Sequence, residues 1–155
     1  MSQMTPQQTA QGYSPPTVRQ FSVFLENKVG RLLDLVRMFD EDPTVHLCGL
    51  SVLESSDHAV VRLIPSSGNA AQRLLREHGV TFAVLDLLIV ELAEDHTLSS
   101  LCLCLLGAEL NIRFAYPLLL GAEAPTIALA VDDHVLAGQI LRKKGFRLLG
   151  EEDLL

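Results

Sequence analysis

The chain has 155 residues, of which 48% are hydrophobic and 20% are charged, and its formal net charge is −7. A chain of this size and hydrophobicity can bury a core without metals or disulfides, either as one ordinary domain or as two very small ones. The acidic balance and the lack of a dense run of Lys or Arg argue against a nucleic-acid partner, because binding phosphates requires a basic surface.

Cysteine usage and the first residues indicate where the protein works. The three cysteines, Cys48, Cys102 and Cys104, form no even-numbered framework, which favours reduced thiols in a reducing compartment. The first residues lack the basic start and apolar stretch of a secretory signal, and no apolar run reaches the length of a membrane span. We therefore expect a soluble, cytoplasmic protein with no membrane partner.

The chain begins with a polar segment and then changes character. Residues 1–17 lack Val, Leu, Ile and Phe and contain a double proline, so they cannot bury enough apolar area to fold. The sequence predicts a flexible tail here. Residues 18–26 then alternate and include β-branched and aromatic side chains, which predicts a first strand.

A helix and a hairpin follow the first strand. Residues 27–30 break the strand, and residues 31–40 carry Leu32, Leu35, Val36 and Phe39 at the spacing of an amphipathic helix. The elements predicted next are a strand over 45–53, a turn at 55–57, a strand over 58–64, a helix over 70–78 that ends at Gly79, and an apolar stretch over 80–92.

The order of elements then repeats. The apolar stretch is too long for one average strand, and residues 74–80 and 60–64 are echoed by residues 140–146 and 127–131. The sequence therefore predicts an α+β fold of two ferredoxin-like βαββαβ units in tandem, at residues 18–85 and 86–155. Each unit is expected to form an antiparallel sheet with both helices on one face, and the two units an internal pseudo-dimer.

Short motifs in both units resemble the ACT-domain signature. In the first unit they are the loop at residues 25–32, Leu-Glu-Asn-Lys-Val-Gly-Arg-Leu, and the strand opening Val-His-Leu at residues 45–47. In the second unit they are Leu-Asn-Ile at residues 110–112 and Lys-Gly-Phe-Arg-Leu-Leu at residues 144–149. The resemblance covers the whole predicted folded part of the chain.

The resemblance implies a non-catalytic regulatory protein without a cofactor, because ACT domains typically bind amino acids and govern enzymes such as phosphoglycerate dehydrogenase and aspartate kinase. It also implies that the ligand lies between paired units, held by the loop after the first strand and by the second strand of the partner unit. The corresponding residues here are Asn27, Lys28, Val29, Gly30, Arg31, Leu47, Asn111 and Ile112. Amide groups at a helix start favour a carboxylate, and Gly30 would let a ligand approach the backbone.

Two departures from the family pattern bear on this site. Val29 stands where the family usually has proline, which makes the first loop less rigid. In the second unit the equivalent loop reads Ala-Glu-Asp-His at residues 93–96, with His96 at the glycine position and acidic groups that would repel a carboxylate. The sequence therefore predicts one competent site, in the first unit.

Simpler explanations stay open for the residues singled out. Asn27 could merely cap a helix, and Gly30 could merely form a turn. The stripe of Leu98, Leu101, Cys102 and Leu105 is expected to be core, with Cys102 and Cys104 as small core fillers and no shared metal. His46 and Cys48 lack an orienting carboxylate, and no catalytic motif is present, so we expect no enzymatic activity.

Two functions of different classes remain. The first is an amino-acid sensor whose ligand alters the packing of units or chains, and the second is a ligand-independent subunit of an amino-acid biosynthetic enzyme, like the small subunit of acetolactate synthase. A homodimer is expected in either case, since ACT units commonly pair. An RNA-recognition module, which shares this order of elements, is disfavoured because the strand over 58–64 has no aromatic residue.

Overall fold

The computed structural model describes residues 14–26, 28–93, 95–121 and 123–154, so most of the predicted tail, residues 1–13, lies outside the described residues. The strands are β1 (Val18–Glu26), β2 (Leu47–Glu54), β3 (His58–Pro65), β4 (Phe82–Glu91), β5 (Ile112–Pro117), β6 (Thr126–Val131) and β7 (Arg147–Leu149). The helices are α1 (Arg31–Asp40), α2 (Gly68–Glu77), α3 (Leu98–Gly107) and α4 (His134–Lys143), and a 3₁₀ turn follows at Glu151–Leu154. None of the described helices is both long enough and apolar enough to span a bilayer.

The element order is that of two consecutive βαββαβ units, as the sequence repeat predicts. The bounds of β1 and α1 agree with the prediction, whereas β2 begins at Leu47 rather than at residue 45. The chain is held in a turn just before it, where the Asp42 carboxylate accepts from the backbone N–H and the hydroxyl of Thr44. Helix α2 begins at Gly68, two residues earlier than predicted, because the Ser67 side chain caps it.

All strands join one curled antiparallel sheet. The strand order is β2-β3-β1-β4-β6-β5, and β7 pairs with β4 in addition. The curl brings the two ends of this order together, since the N–H of Leu119, just after β5, donates to the carbonyl of Cys48 in β2 at 2.7 Å. The predicted antiparallel, ferredoxin-like architecture is thus confirmed.

Strand β4 belongs to both units. Its first six residues pair with β1, from Phe82 opposite Val23 to Leu87 opposite Val18. Its last four residues, Leu88 to Glu91, pair with β6, and the last three of these also pair with β7. The unit boundary predicted between residues 85 and 86 lies inside this continuous strand.

Three hydrophobic clusters stabilise the fold. On the outer face of the sheet, α1 and α2 bury one cluster around Phe21 and Leu63, and α3 and α4 bury the matching cluster around Leu88 and Leu129. The third cluster lies inside the curl and draws on all seven strands; it is formed by Val18, Cys48, Ile64, Leu87, Ile89, Tyr116, Ala128, Ala130, Leu149 and Leu154. The two units therefore share an inner core while each keeps its own helix-covered core.

Polar contacts also join the units. The Glu151 carboxylate, from the 3₁₀ turn, pairs with the Arg19 guanidinium in β1 at 3.1 Å. The same carboxylate accepts from the N–H of Gly68 at the start of α2, at 2.9 Å. Inside the curl, the Tyr116 hydroxyl donates to Oε1 of Gln20 at 2.6 Å, and the Arg62 guanidinium lies 3.9 Å from the centroid of the Phe114 ring.

The prediction of a wholly buried stripe on α3 is wrong in part. Leu101 and Leu105 are 1% exposed, but Leu98 is 55% exposed and Cys102 is also on the surface. Cys104 is only partly buried, so Cys102 is no core filler and Cys104 only a partial one. Every residue of α3 from Leu101 to Leu106 is apolar, and therefore the helical spacing could not distinguish its buried face from its exposed face.

Candidate functional site

The loop between β1 and α1 is short, exposed and held by charged side chains. The backbone closes it through a hydrogen bond from the Lys28 N–H to the Glu26 carbonyl at 2.8 Å. The Lys28 ammonium lies 3.0 Å from the Glu26 carboxylate, and this contact, together with Arg31, lowers the pKa of Glu26. Val29 is fully exposed, and Asn27, a predicted site residue, lies outside the described residues.

Helix α1 begins differently from the other described helices. Its cap residue is Gly30, with a left-handed φ of 89°, and no described side chain caps it. By contrast, Ser67, Thr97 and Asp133 supply side-chain caps to α2, α3 and α4. Among the described residues, the N–H groups of Leu32 and Leu33 have no hydrogen-bond acceptor, and they carry the positive end of the helix dipole.

A cleft of about 350 Å³ runs along α1 from this first turn. Its apolar surface comes from Leu25, Leu35, Met38 and Val80, and its charged or titratable groups from Arg31, Asp34, Arg37, Glu41 and His78. Both signs of charge thus border an apolar floor, which is the composition that a zwitterion with an apolar side chain requires. Of the residues predicted from the sequence, Arg31 lines this cleft.

The predicted residues of the second unit lie elsewhere. Asn111 and Ile112 line a separate cleft of about 490 Å³ beside α3, and Leu47 packs partly buried against the helix-covered core of the first unit. The N–H of Asn111 donates to the Asp132 carboxylate at 3.1 Å, so this backbone group is already occupied. Within one chain, the structure does not bring Asn111 and Ile112 into the cleft that Arg31 lines.

In the second unit, the side chain of His96 occupies the corresponding loop. The His96 ring stacks on Phe146 with centroids 3.8 Å apart, and its Nε2 lies 3.1 Å from the Gly145 carbonyl. The following helix is closed by the Thr97 and Ser100 capping box. Glu94 lies outside the described residues. In the capping box the Ser100 N–H donates to the Thr97 hydroxyl at 3.1 Å, so one amide at the start of α3 is occupied by a side chain of the loop itself.

Sequence reasoning missed four charged or titratable residues that line the first cleft. Asp34, Arg37 and Glu41 follow Arg31 at intervals of three and four residues, which places all of them on one flank of α1. That spacing was visible in the sequence, although a charged flank usually indicates nothing more than a solvated helix face. His78 comes from the end of α2, and its contribution depends on how the two helices pack.

Comparisons with known proteins fit this architecture. The family described as ACT domain pair matches residues 16–155. Among solved structures, protein BT0572 from Bacteroides thetaiotaomicron is 21% identical with a TM-score of 0.80, and the alignment covers 90% of this chain and 96% of that one. The ligand-free regulatory subunit of aspartate kinase from Thermus thermophilus is 8% identical with a TM-score of 0.56, covering 84% and 94%.

No curated protein matches the chain significantly. The family match, however, begins at residue 16 and extends to the last residue, so it includes both βαββαβ units and every helix described above. The chain belongs to the ACT domain pair family.

Proposed function

We propose that this protein is a non-catalytic regulator that binds a small amino acid in the cleft along α1 and signals by altered packing or association. Membership of the ACT domain pair family supports a regulatory role. The likeness in fold to a regulatory subunit of aspartate kinase is consistent with it. The observation that carries the proposal is the start of α1, which no described side chain caps, beside a cleft that contains both signs of charge.

Each part of an amino acid has a partner in this cleft. The carboxylate is bound by the Arg31 guanidinium, which lines the cleft next to the positive end of the α1 dipole, because both favour an anion. Asp34 and Glu41 supply carboxylates for the ammonium group. Leu25, Met38 and Val80 form the surface for the ligand side chain. A cleft of about 350 Å³ is at the small end of ligand sites, which fits a single amino acid.

The second unit does not repeat these charges. Thr97, Ser100, Leu103 and Gly107 occupy the positions that correspond to Arg31, Asp34, Arg37 and Glu41. With its loop filled by His96 as well, the second unit keeps the fold without the groups that recognise a zwitterion. We therefore expect one amino acid per chain.

Calorimetric titration of the protein with a panel of amino acids tests this function. One or a few of them should release heat, and Arg31→Gln should weaken that binding by at least about tenfold, because it removes a charge-assisted contact. Arg113→Gln is the matched control, since Arg113 is 53% exposed, against 48% for Arg31, and lies in the second unit. Absence of heat with every amino acid would contradict the proposal.

A second candidate is a ligand-independent regulatory subunit of an amino-acid biosynthetic enzyme, in the cytoplasm. The filled loop at His96 favours it, because half of the potential ligand sites are closed. Purification of the tagged protein from its host, with and without added amino acids, distinguishes the two. A stable enzyme partner in the absence of any heat of binding supports the subunit, and ligand-dependent association supports the sensor.

A further inference from the structure

His78, the residue that ends α2, lines the cleft along α1. Strands β1 and β4 are antiparallel neighbours, with Val23 opposite Phe82, so β1 ends where β4 begins. Helix α1 follows the end of β1, and α2 precedes the start of β4. His78 therefore lies at the end of the sheet where α1 starts, and Arg31 and Asp34 belong to the first turn of that helix.

One hydrogen bond of the His78 ring determines what its second nitrogen can do. Nδ1 lies 3.0 Å from the carbonyl oxygen of Leu74, one turn earlier in α2. A carbonyl oxygen only accepts, so in the neutral ring the proton is on Nδ1, and Nε2 carries a lone pair. Because Nδ1 is bonded to the helix backbone, Nε2 is the nitrogen that remains for a ligand. The neutral ring therefore offers the cleft an acceptor and no donor.

An acceptor at this place suits the ammonium group of an amino acid, which has N–H donors and no acceptor. Among the side chains that line the cleft, the guanidinium groups only donate, and the strong acceptors are those of Asp34, Glu41 and His78. The two carboxylates belong to α1, whereas His78 belongs to α2. An ammonium group in the cleft thus finds acceptors on both helices.

The second unit has a lysine in place of this histidine. The repeat that matches residues 74–80 to residues 140–146 places Lys144 at the position of His78. Each of the two residues ends the second helix of its unit, and Lys144 also lines a cleft, of about 490 Å³. A lysine side chain donates but does not accept, and its charge repels another ammonium group. The duplicated position thus lacks the acceptor that His78 provides.

We infer that Nε2 of His78 accepts a hydrogen bond from the ammonium group of the bound amino acid, and that protonation of the ring weakens binding. This role rests on the proposed function and adds pH-dependent regulation to the same site. Histidine ordinarily changes charge between about pH 5 and about pH 8, and the protonated ring is a cation without an acceptor.

The other charged groups near the ring belong to classes that ordinarily keep their charge in this pH range. On α1 and α2 they are Arg31, Asp34, Arg37, Glu41, Arg76 and Glu77. The strand side of the cleft contributes the uncharged residues Leu25 and Val80. His78 is therefore the group of this cleft whose charge changes near neutral pH.

Calorimetric titration of the full chain at about pH 8 and about pH 5.5 tests this role, with the standard L-amino acid that binds most tightly at the higher pH as the probe. About one tenth of an ordinary histidine is neutral at pH 5.5, so the dissociation constant should rise about tenfold. His78→Gln provides an acceptor that does not titrate and should remove the pH dependence. His78→Lys installs the residue of the second unit and should weaken binding at pH 8 by at least about tenfold.

The matched control is His46→Gln, because His46 is an exposed histidine of the same unit that does not line the cleft. This variant should keep the affinity and the pH dependence of the wild type, and circular dichroism verifies that all variants fold. Binding that is independent of pH, or tighter at pH 5.5, overturns the role of His78 and leaves the proposed function standing. A His78→Gln variant that keeps the pH dependence, or a His46→Gln variant that loses it, does the same.

The tautomer of His78 provides a second readout that needs no ligand. Nitrogen chemical shifts of the ring, measured by NMR on the free protein at about pH 8, should show the proton on Nδ1. A proton on Nε2 overturns the role of His78 whatever the affinities are. If no amino acid binds to the wild type at either pH, the proposed function fails, and the role of His78 fails with it.

Discussion

The buried hydrogen bond between Gln20 and Tyr116 is expected to behave as an energetic link between the two units. Gln20 lies in β1 and Tyr116 in β5, and they are 1% and 8% exposed. Their oxygen atoms are 2.6 Å apart. In Tyr116→Phe, the Gln20 carbonyl oxygen would stay buried without this donor, which costs about 1 to 3 kcal/mol. For a chain of this length, that corresponds to a fall in Tm of about 2 to 12 °C.

The double variant distinguishes a lost bond from a damaged core. Gln20→Leu alone leaves the buried tyrosine hydroxyl without its acceptor. Gln20→Leu with Tyr116→Phe removes both polar groups, so no unpaired group is left buried and that cost disappears. Its loss of unfolding free energy should be smaller than the sum of the single losses by about 1 kcal/mol or more. Urea unfolding followed by circular dichroism measures all four proteins, with calorimetry to verify a two-state transition. A neutral Tyr116→Phe, or strictly additive losses, would refute the reasoning.

Three further predictions concern contacts described above. Glu151→Ala should lower the unfolding free energy by about 1 kcal/mol and speed hydrogen exchange at the Gly68 amide, since both an ion pair and an acceptor are lost; unchanged exchange there would contradict it. Burial raises the pKa of the Cys48 thiol to about 11, above its ordinary value of 9.0. Because the buried thiol resists ionisation, the unfolding free energy should fall as the pH rises from about 9 to about 11. Cys48→Ala should flatten that dependence in urea titrations at stepped pH. Arg62→Met should lower the unfolding free energy by about 0.5 to 1 kcal/mol, because it removes the cation from the Phe114 ring. Phe114→Leu should also lower it, and a double variant whose loss is smaller than the sum of the two single losses would support the pairing.

The sequence was most informative where local pattern and repetition agreed. The alternation in residues 18–26 and the helical spacing of Leu35 and Phe39 predicted β1 and α1 to the residue, because those side chains face one core. The glycines that end α2 and α4, Gly79 and Gly145, have φ values of 67° and 88°, as their matched positions suggested. Repetition strengthened each of these signals.

What the sequence could not provide depends on contacts between distant parts of the chain. Nothing local in Gln20 or Tyr116 indicates that the curl of the sheet brings them together. The same holds for the candidate site. A turn at Gly30 could be predicted, but whether Asn111 shares a cleft with Arg31 depends on how the units are arranged. In residues 101–106 of α3, every side chain is apolar, so there was no polar position by which the exposed face could be recognised.

The continuity of β4 constrains how the two halves of the molecule can be separated. A protease cut or a truncation between residues 85 and 86 would sever a strand whose two ends are each a member of a different half of the sheet. Neither fragment would keep its complete set of strand pairings, so neither should persist as an independent folding module. Motion of one half relative to the other should likewise be a twist of the shared strand β4. A hinge rotation is not expected, because no loop connects the two halves.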